Sequence, residues 1–250
     1  MAKSDELELD DVTLVCVSSV NIRNSIYALW RSSRKIKFHE IKVISNSPLR
    51  YQPTWLKVEI SIGNQLLSIN DYSHYVIYSL FKHINTNYVL LVQADGYVLN
   101  YKRWNSDFLK YDYIGAPWRI RSDAYIDPFG THQRVGNGGF SLRSRKLLEV
   151  PKYDHVEWNV NSNDFFKHMD VNQQAEDGIV CIHNRHVYEK NGCEFAPFEI
   201  ALSFSREQIM PENIDLQTFG FHKRIFGIGN RFKNFLNKTF FNFLYFSKLL

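Results

Sequence analysis

The sequence is poor in cysteine and lacks the common nucleotide-binding motifs. Its 250 residues include three cysteines, Cys16, Cys181 and Cys193, which form neither a CxxC pair nor a metal-ligand spacing. A sparse, odd count argues against a disulfide scaffold and favours a reducing compartment. Neither a GxGxxG fingerprint nor a P-loop is present. The usual dinucleotide-binding and NTPase classes therefore lose support.

Long apolar runs are also missing. No stretch reaches about 18 uninterrupted apolar residues, the usual minimum for a membrane-spanning helix. Residues 1–11 are acidic and polar, a composition that predicts no signal peptide. We therefore expect a cytoplasmic protein, with the C-terminal tail as a candidate anchor on the inner face of the cytoplasmic membrane.

The net charge of +4 is unevenly distributed. Residues 216–250 contain no acid, six basic residues and nine of the 19 phenylalanines, whereas the preceding residues hold 24 basic and 26 acidic side chains. With 44% hydrophobic residues, the body has ample apolar surface to form a core. We predict one domain over residues 1–222 and a basic aromatic tail over residues 223–250.

The tail has the pattern of an amphipathic helix. Arg224, Arg231 and Lys238 recur every seven residues and would share one stripe of a helix. A basic helix with an aromatic face is typical of a peripheral membrane contact. The alternative is a terminal helix that packs against its own domain or a second subunit.

Buried strands and helices alternate along the body. Val12–Ser18, Lys37–Ile44 and Tyr88–Val92 are predicted strands, rich in apolar residues. Asn24–Ser33 and Asp71–Ile84 are predicted helices, the second capped by its first residue. This alternation predicts an α/β fold with a mostly parallel central sheet flanked by helices. Ligands of such sheets bind at the carboxyl ends of the strands, where Ser18 lies.

Two patterns suggest a phosphate or metal site. Asp95 follows an apolar strand and precedes a glycine, a place suited to a divalent cation beside a phosphate; the alternative is a simple hairpin turn. Gly136–Gly139 holds three glycines in four residues, which lets backbone approach a ligand closely or simply makes a flexible turn.

Two further patterns suggest acid–base or ligand chemistry. Glu176 and Asp177 begin a predicted helix. Acids at such a position either stabilise the helix N-terminus or, in the case of Asp177, act as a general base. His222 lies in the segment FGFH, either as a ligand or as a structural histidine.

In this order the four patterns resemble the signature elements of GT-A-fold glycosyltransferases. The sequence of these segments resembles most closely the DUF5672 family of bacterial GT-A-like proteins, over about residues 71–223. The matching stretches are YVLLVQADGYVL from Tyr88, YDYIGAPW from Tyr111, VGNGGFSLRSR from Val135, EDGIVC from Glu176, FAPFEIALSFSRE from Phe195 and FGFH from Phe219.

The resemblance implies a metal site in a GT-A-like (nucleotide-diphospho-sugar transferase) fold. It places Asp95 on the last acid of the DxD motif and His222 on the histidine that completes a Mn²⁺ or Mg²⁺ site. Gln93 stands where the first acid of the motif would be. This departure removes one charge and weakens the expectation of tight metal binding.

The resemblance also implies the remaining roles. Gly138 and Gly139 match the loop that lines the donor and acceptor pocket. Asp177 matches the catalytic base of inverting members, with Glu176 as its neighbour. The implied activity is the transfer of a sugar from a nucleotide-sugar donor to a hydroxyl of a glycan or lipid-linked glycan, with inversion, in bacterial surface polysaccharide synthesis.

Several residues around these motifs have two interpretations. Residues 119–134 form either a lid over the donor or a surface loop. Trp118 and Tyr113 either stack on a sugar or base or pack in the core. Arg143 and Arg145 either add charge near the phosphates or face solvent.

Two other functions use the same fold class. A sugar-nucleotide nucleotidyltransferase is disfavoured, because residues 18–23 lack the glycine expected after the first strand. A non-catalytic glycan-binding or scaffold subunit gains support from the missing DxD acid. The near-neutral body and the lack of a known motif argue against nucleic-acid binding.

Overall fold

The computed structural model of the protein describes residues 6–61, 65–120, 125–158, 173–223, 237–242 and 244. Its centre is a six-stranded sheet with the order β3-β2-β1-β4-β7-β6. The strands of this sheet are β1 (Leu7–Val17), β2 (Ile36–Ser45), β3 (Lys57–Ile60), β4 (Tyr88–Val92), β6 (Tyr113–Pro117) and β7 (Val135–Ser144).

Four neighbouring strands of the sheet, β3, β2, β1 and β4, run parallel. Strand β7 runs antiparallel to β4, with Val92 opposite Phe140, and β6 is in turn antiparallel to β7. Strand β6 therefore points in the same direction as β4. The expectation of a mostly parallel sheet, as a GT-A-like fold requires, is confirmed.

Helices cover both faces of the sheet. The longer helices are α1 (Ile22–Ser33) and α2 (Ile69–Tyr78), and the shorter ones are α3 (Arg145–Glu149), α4 (Glu176–Gly178), α5 (Arg185–Lys190) and α6 (Phe198–Phe204). One core combines the inner face of α1 with Leu14 and Leu90, and the other combines α2 with Val15 and Leu91. Alternate residues of one strand thus serve opposite layers, the pattern of a sheet buried on both faces.

Helix α2 differs from its sequence prediction at both ends. Ser68, not Asp71, is the N-cap, and the two side chains form a reciprocal capping box. The α-helix ends at Tyr78, and a 3₁₀ turn (Leu80–His83) follows. Asp71 is the third helical residue, where an acid favours the same helix start as a cap would.

A small second sheet carries the end of the body. Strand β9 (Gly220–Phe221) lies between β5 (Tyr97–Val98), which it meets antiparallel, and β8 (Ser205–Arg206), which it meets parallel. The phenyl ring of Phe140 fills the space beside Gly220, so a Cβ there would lie 2.1 Å from Phe140 Cζ. This packing ties the second sheet to β7 and fixes the position of the residue after β9.

Little of the predicted tail lies in the described part of the chain. Residues 237–242 are helical, and Phe241 is buried against Tyr27 and Trp30 of α1, with ring centroids 5.2 and 5.4 Å away. Arg224 and Arg231 lie outside the described residues, so the amphipathic stripe stays a prediction. So does the division at residue 222.

Two further observations concern the described residues. All three cysteines are free and buried. No helix among these residues combines the length and the apolar character needed to cross a bilayer.

Candidate active site

The sheet topology brings separate segments to one edge. Ser18 directly follows β1 and Gln93 directly follows β4. Because these strands are parallel, both residues lie at the same edge of the sheet. Strand β7 runs the other way, so its glycine-rich beginning lies at that side too, and Gln93 N–H donates to Gly139 C=O at 2.9 Å. The two halves of the predicted site meet here.

A cavity of about 630 Å³ opens at this edge. Of the nine predicted site residues, eight line it: Ser18, Gln93, Asp95, Trp118, Gly139, Glu176, Asp177 and His222. Gly138 is held to it through Asp177. The structure therefore gathers into one space side chains from positions 18 to 222.

Asp95 and His222 face each other across the cavity floor. His222 Nε2 lies 3.3 Å from Asp95 Oδ1, and the Asp95 side chain is 61% exposed. The hydrogen bond from His222 holds the pKa of Asp95 below its ordinary value. Gly139 makes this pairing sterically feasible, since a Cβ there would lie 2.2 Å from His222 Nε2.

Glu207 lies behind His222. Its buried carboxylate contacts Lys223 Nζ at 2.5 Å and lies 3.7 Å from His222 Nδ1. Burial alone would lower the pKa of His222, but the carboxylates of Asp95 and Glu207 outweigh it and raise that pKa to about 9. Burial would raise the pKa of Glu207, yet the two cations keep it below its usual range. The result is a row of alternating charges along one wall.

Asp177 is a partly buried carboxylate that also lines the cavity. It accepts hydrogen bonds from the amides of Gly138, at 3.2 Å, and Gly178, at 2.9 Å. Burial, together with the negative charges of Glu176 and Glu207, raises the pKa of Asp177 from 3.8 to about 7. A carboxyl group with such a pKa is suited to accept a proton near neutral pH.

Glu176 is paired with Arg143 and not with solvent. Arg143 Nη2 donates to Glu176 Oε1 at 2.9 Å, and both side chains are almost fully buried. The interpretation of Arg143 as a solvent-facing residue is therefore wrong: its guanidinium is buried and packs 4.9 Å from the centre of the Tyr113 ring. Its role near phosphates stays a prediction. Arg145, the other candidate, pairs with Glu149 at 3.0 Å.

Four buried polar atoms of the cavity lining have no hydrogen-bond partner among the described residues: the Tyr72 hydroxyl, His222 Nδ1, Asn137 Oδ1 and Glu176 Oε2. The last two can only accept, and their side chains are 4% and 3% exposed. A buried acceptor without a partner is costly, by about 1–3 kcal/mol, and a ligand that donates hydrogen bonds removes that cost. Both atoms accept only, so they suit hydroxyl groups.

The aromatic candidates separate into two roles. Tyr113 belongs to the core, because it is fully buried and donates to Gly136 C=O at 2.6 Å. Trp118 lines the cavity and stacks on Tyr125, with ring centroids 4.6 Å apart and an interplanar angle of 6°. Trp118 thus contacts Tyr125 within the connection 119–134, where the Tyr125 φ of 62° is rare outside glycine.

Apolar side chains also line the cavity. They include the buried Val17 and Leu66, and Val20 and Leu67, which are 72% and 55% exposed. The cavity thus combines charged and apolar side chains, which is the composition needed for a ligand with both characters.

The residues present fit a divalent cation in part. Asp95 and His222 supply one oxygen and one nitrogen, but no group of three His, Cys, Asp or Glu ligands exists in the described ranges. Gln93, which lines the cavity, adds no charge at the position of the first DxD acid. Mg²⁺ commonly takes few carboxylates and completes its shell with phosphate oxygens and water. Two protein ligands suffice for such a site only when a phosphate ligand is present.

Comparisons with known proteins place the chain in a family. Residues 57–222 match the model of the family described as "Protein of unknown function (DUF5672)". The chain belongs to the DUF5672 family. No curated protein matches this DUF5672 protein.

Solved structures similar to this DUF5672 protein include the galactosyltransferase LgtC in complex with donor and acceptor sugar analogues. It has 13% identity and a TM-score of 0.49, over 84% of this chain and 86% of that one. An active-site mutant of LgtC has the same identity and TM-score, over 86% and 88% of the two chains. Neither similarity bears on the chemistry of the DUF5672 chain.

Glu207, Lys223 and Asn137 are among the polar cavity residues that the sequence did not single out as candidates. Glu207 directly follows β8 as Asp95 closely follows β4, so an acid after a short strand was the available signal. Asn137 lies inside the glycine-rich segment 136–139, whose glycines were the only signal there. Lys223 had no local signal, because its place depends on the pairing of β9.

Proposed function

We propose that the protein is a nucleotide-sugar-dependent glycosyltransferase. The observation that carries the proposal is the pair of unpartnered buried acceptors, Asn137 Oδ1 and Glu176 Oε2, beside a carboxyl group with a pKa of about 7. A hydroxyl-rich ring satisfies the acceptors, and Asp177 is poised to take a proton from an attacking hydroxyl.

In the proposed reaction, Asp177 accepts the proton of the acceptor hydroxyl as its oxygen forms a bond to the anomeric carbon. The bond from that carbon to the diphosphate breaks, and the sugar is transferred with inversion. The carboxylate beside an electron-poor anomeric centre follows the logic of glycoside hydrolysis, with a hydroxyl in place of water. Asn137 and Glu176 would hold the transferred sugar, and Ser18 and Gln93 would contact the rest of the donor.

The charged wall would hold the leaving group. Lys223 is a cation beside His222, at the side of the cavity where diphosphate charge would develop. Asp95 and His222 are the residues that would hold Mn²⁺ or Mg²⁺. Such a metal, when bound, neutralises negative charge on phosphate oxygens. The apolar side chains of the cavity are suited to the flat faces of a nucleotide base.

The acceptor in this proposal is a hydroxyl of a glycan or lipid-linked glycan used for surface polysaccharide. Contact of the basic tail with the membrane would bring the enzyme to a lipid-linked acceptor. Flotation with anionic vesicles tests this part. A chain truncated after Lys223 that still floats would show that the tail is not the anchor.

A donor panel tests the activity. UDP-, GDP-, CMP- and TDP-sugars are added with Mn²⁺, and both the melting temperature and the released nucleotide are measured. We expect one donor class to raise the melting temperature and to be turned over. Asp177→Asn should lower turnover by about 10²–10⁴-fold while the donor still stabilises the fold. Asp154→Asn, at a surface ion pair with Lys190, is the matched control.

The scaffold function predicts a different result. Gln93 in place of an acid favours that alternative, because a weak metal site supports binding better than catalysis. A donor or glycan that stabilises the fold without any turnover would support it. If no donor changes the melting temperature or is consumed, the glycosyltransferase proposal is wrong.

A further inference from the structure

A closed ring of contacts lies directly behind the cavity wall. Arg143 Nη2 donates to Glu176 Oε1 at 2.9 Å, and Arg143 Nε donates to Ser141 Oγ at 3.0 Å. Ser141 Oγ donates to Gly138 C=O at 3.0 Å, and Gly138 N–H donates to Asp177 Oδ2 at 3.2 Å. The peptide bond between Glu176 and Asp177 closes the ring.

The ring is buried and sterically tight. Arg143 and Ser141 are 1% and 0% exposed. A Cβ on Gly138 would lie 2.0 Å from Glu176 Oε1 and 2.9 Å from Arg143 Nη2, so no side chain fits between them. A buried guanidinium without hydrogen-bond partners costs folding free energy. The bonds of Arg143 to Ser141 and Glu176 are therefore expected to stay formed, which keeps the ring closed.

The ring requires two hydrogen-bond donors in one plane, which the guanidinium of Arg143 supplies. One nitrogen of Arg143 binds the carboxylate before Asp177, and another binds the serine that holds the Gly138 carbonyl. Ser141 thereby anchors Gly138 through the carbonyl of its peptide to Gly139, while the N–H of the preceding peptide donates to Asp177. A lysine supplies the same charge but not two donors in a fixed plane.

We propose that Arg143 is a positioning residue for the reaction, which acts through Ser141 and Glu176 to fix the Gly138 amide against Asp177. The proposal rests on the proposed function, because it takes Asp177 as the base. Arg143 and Ser141 do not touch substrate in this role. Their effect is on the orientation of a carboxylate whose misplacement slows proton transfer and not donor binding.

Ser141→Ala tests the ring without altering any charge. Ser32→Ala is the control. Ser32 lies on helix α1, is 1% exposed and accepts a hydrogen bond from Val98 N–H at 3.2 Å. We expect Ser141→Ala to lower kcat on the order of 10-fold, with the KM for the donor unchanged. Amide exchange of Gly138, measured by NMR without substrate, should become about 10-fold faster. Ser32→Ala should change neither quantity.

Arg143→Lys is the second variant, because it keeps a cation beside Glu176 and so is less prone to unfold than a neutral substitution. It should show the same faster exchange at Gly138 and the same loss of kcat. Unchanged Gly138 exchange in both variants would overturn the proposal, and so would faster exchange with normal kcat. A wild-type chain without donor turnover would overturn the proposed function, together with the catalytic part of this inference, while the exchange data still report on the ring.

Discussion

The imidazole of His222 occupies the space that a side chain on residue 139 would need. A Cβ built on Gly139 lies 2.2 Å from His222 Nε2 and 2.3 Å from its Cε1. The glycine is therefore required by a neighbour distant in sequence, not by its own backbone angles. Gly139 and the Asp95–His222 pair form one unit of the site.

Gly139→Ala should displace His222 from Asp95 and lower kcat/KM on the order of 100-fold, since a displacement of about 1 Å can cost that much. Donor turnover measures the effect. Gly192→Ala is the control, because Gly192 has a φ of 76° and its Cβ would meet only Lys146, 3.7 Å away. It should lose stability through backbone strain with normal turnover. Equal losses of activity in the two variants would contradict the steric explanation.

Asp177→Asn should lower kcat by about 10²–10⁴-fold, the contribution of a general base. In the wild type, kcat should rise with pH through about 7, because Asp177 must lose its proton before it can accept one. The residual activity of Asp177→Asn should lack this acidic limb. A variant that keeps the wild-type pH profile would contradict the assignment of the base.

The same substitution should stabilise the fold at alkaline pH. The pKa of Asp177 is about 7 in the folded chain and 3.8 by its ordinary value, so the folded state binds the proton more tightly. Its contribution to stability is fully present below pH 3.8 and is lost as the pH rises through 7. Between pH 4 and 8, the free energy of unfolding of Asp177→Asn should gain about 2–4 kcal/mol relative to wild type, measured by urea denaturation. A constant difference would contradict the raised pKa.

Asp95→Asn should weaken Mn²⁺ binding at least about 10-fold in the presence of a nucleoside diphosphate, measured by calorimetry. Asp95 is the charged oxygen ligand of the candidate site, and its loss removes the carboxylate on the Nε2 side of His222, leaving only Glu207 on the Nδ1 side. Asp154→Asn should bind Mn²⁺ as the wild type does. Identical affinities in all three proteins would exclude Asp95 as a ligand.

Two adjacent phenylalanines in the helical residues 237–242 differ in burial, so their substitutions test whether this segment packs on α1. Phe241→Ala should cost about 3 kcal/mol of unfolding free energy, because its ring is fully buried against Tyr27 and Trp30. Phe240→Ala, at a ring that is 52% exposed, should stay within about 0.5 kcal/mol of wild type. Thermal or urea unfolding distinguishes them. Equal effects would mean that this segment does not pack on α1 in solution.

The central strands could be predicted well because their signal is local. Tyr88–Val92 has the predicted bounds, and β2 is one residue longer than predicted at each end. Strand β1 begins five residues before its prediction and ends one residue earlier, at Val17. Helix α2 was extended too far because the apolar spacing continues past Tyr78, where the backbone tightens into a 3₁₀ turn. The antiparallel direction of β7 had no local signal, since direction depends on which neighbour a strand meets.

The site was predictable where chemistry and strand ends coincide in sequence. Asp95 was found in this way, whereas Asp177 was found at the start of a predicted helix and His222 in the segment FGFH. All three line one cavity. The pairing of Arg143 with Glu176 was not found, because it joins residues 33 positions apart across two elements. Burial decides its role, and a single sequence does not reveal which arginine is buried.

The antiparallel direction of β7 has a consequence for residues 118–134. Pro117 ends a strand that points toward the cavity, and Val135 starts one that points away from it, so both ends of this connection are fixed at the cavity rim. Added or deleted residues between them would enlarge or reduce the rim without shifting the register of any strand. Changes in length at this connection would therefore reshape the cavity rim while the sheet beneath stays the same.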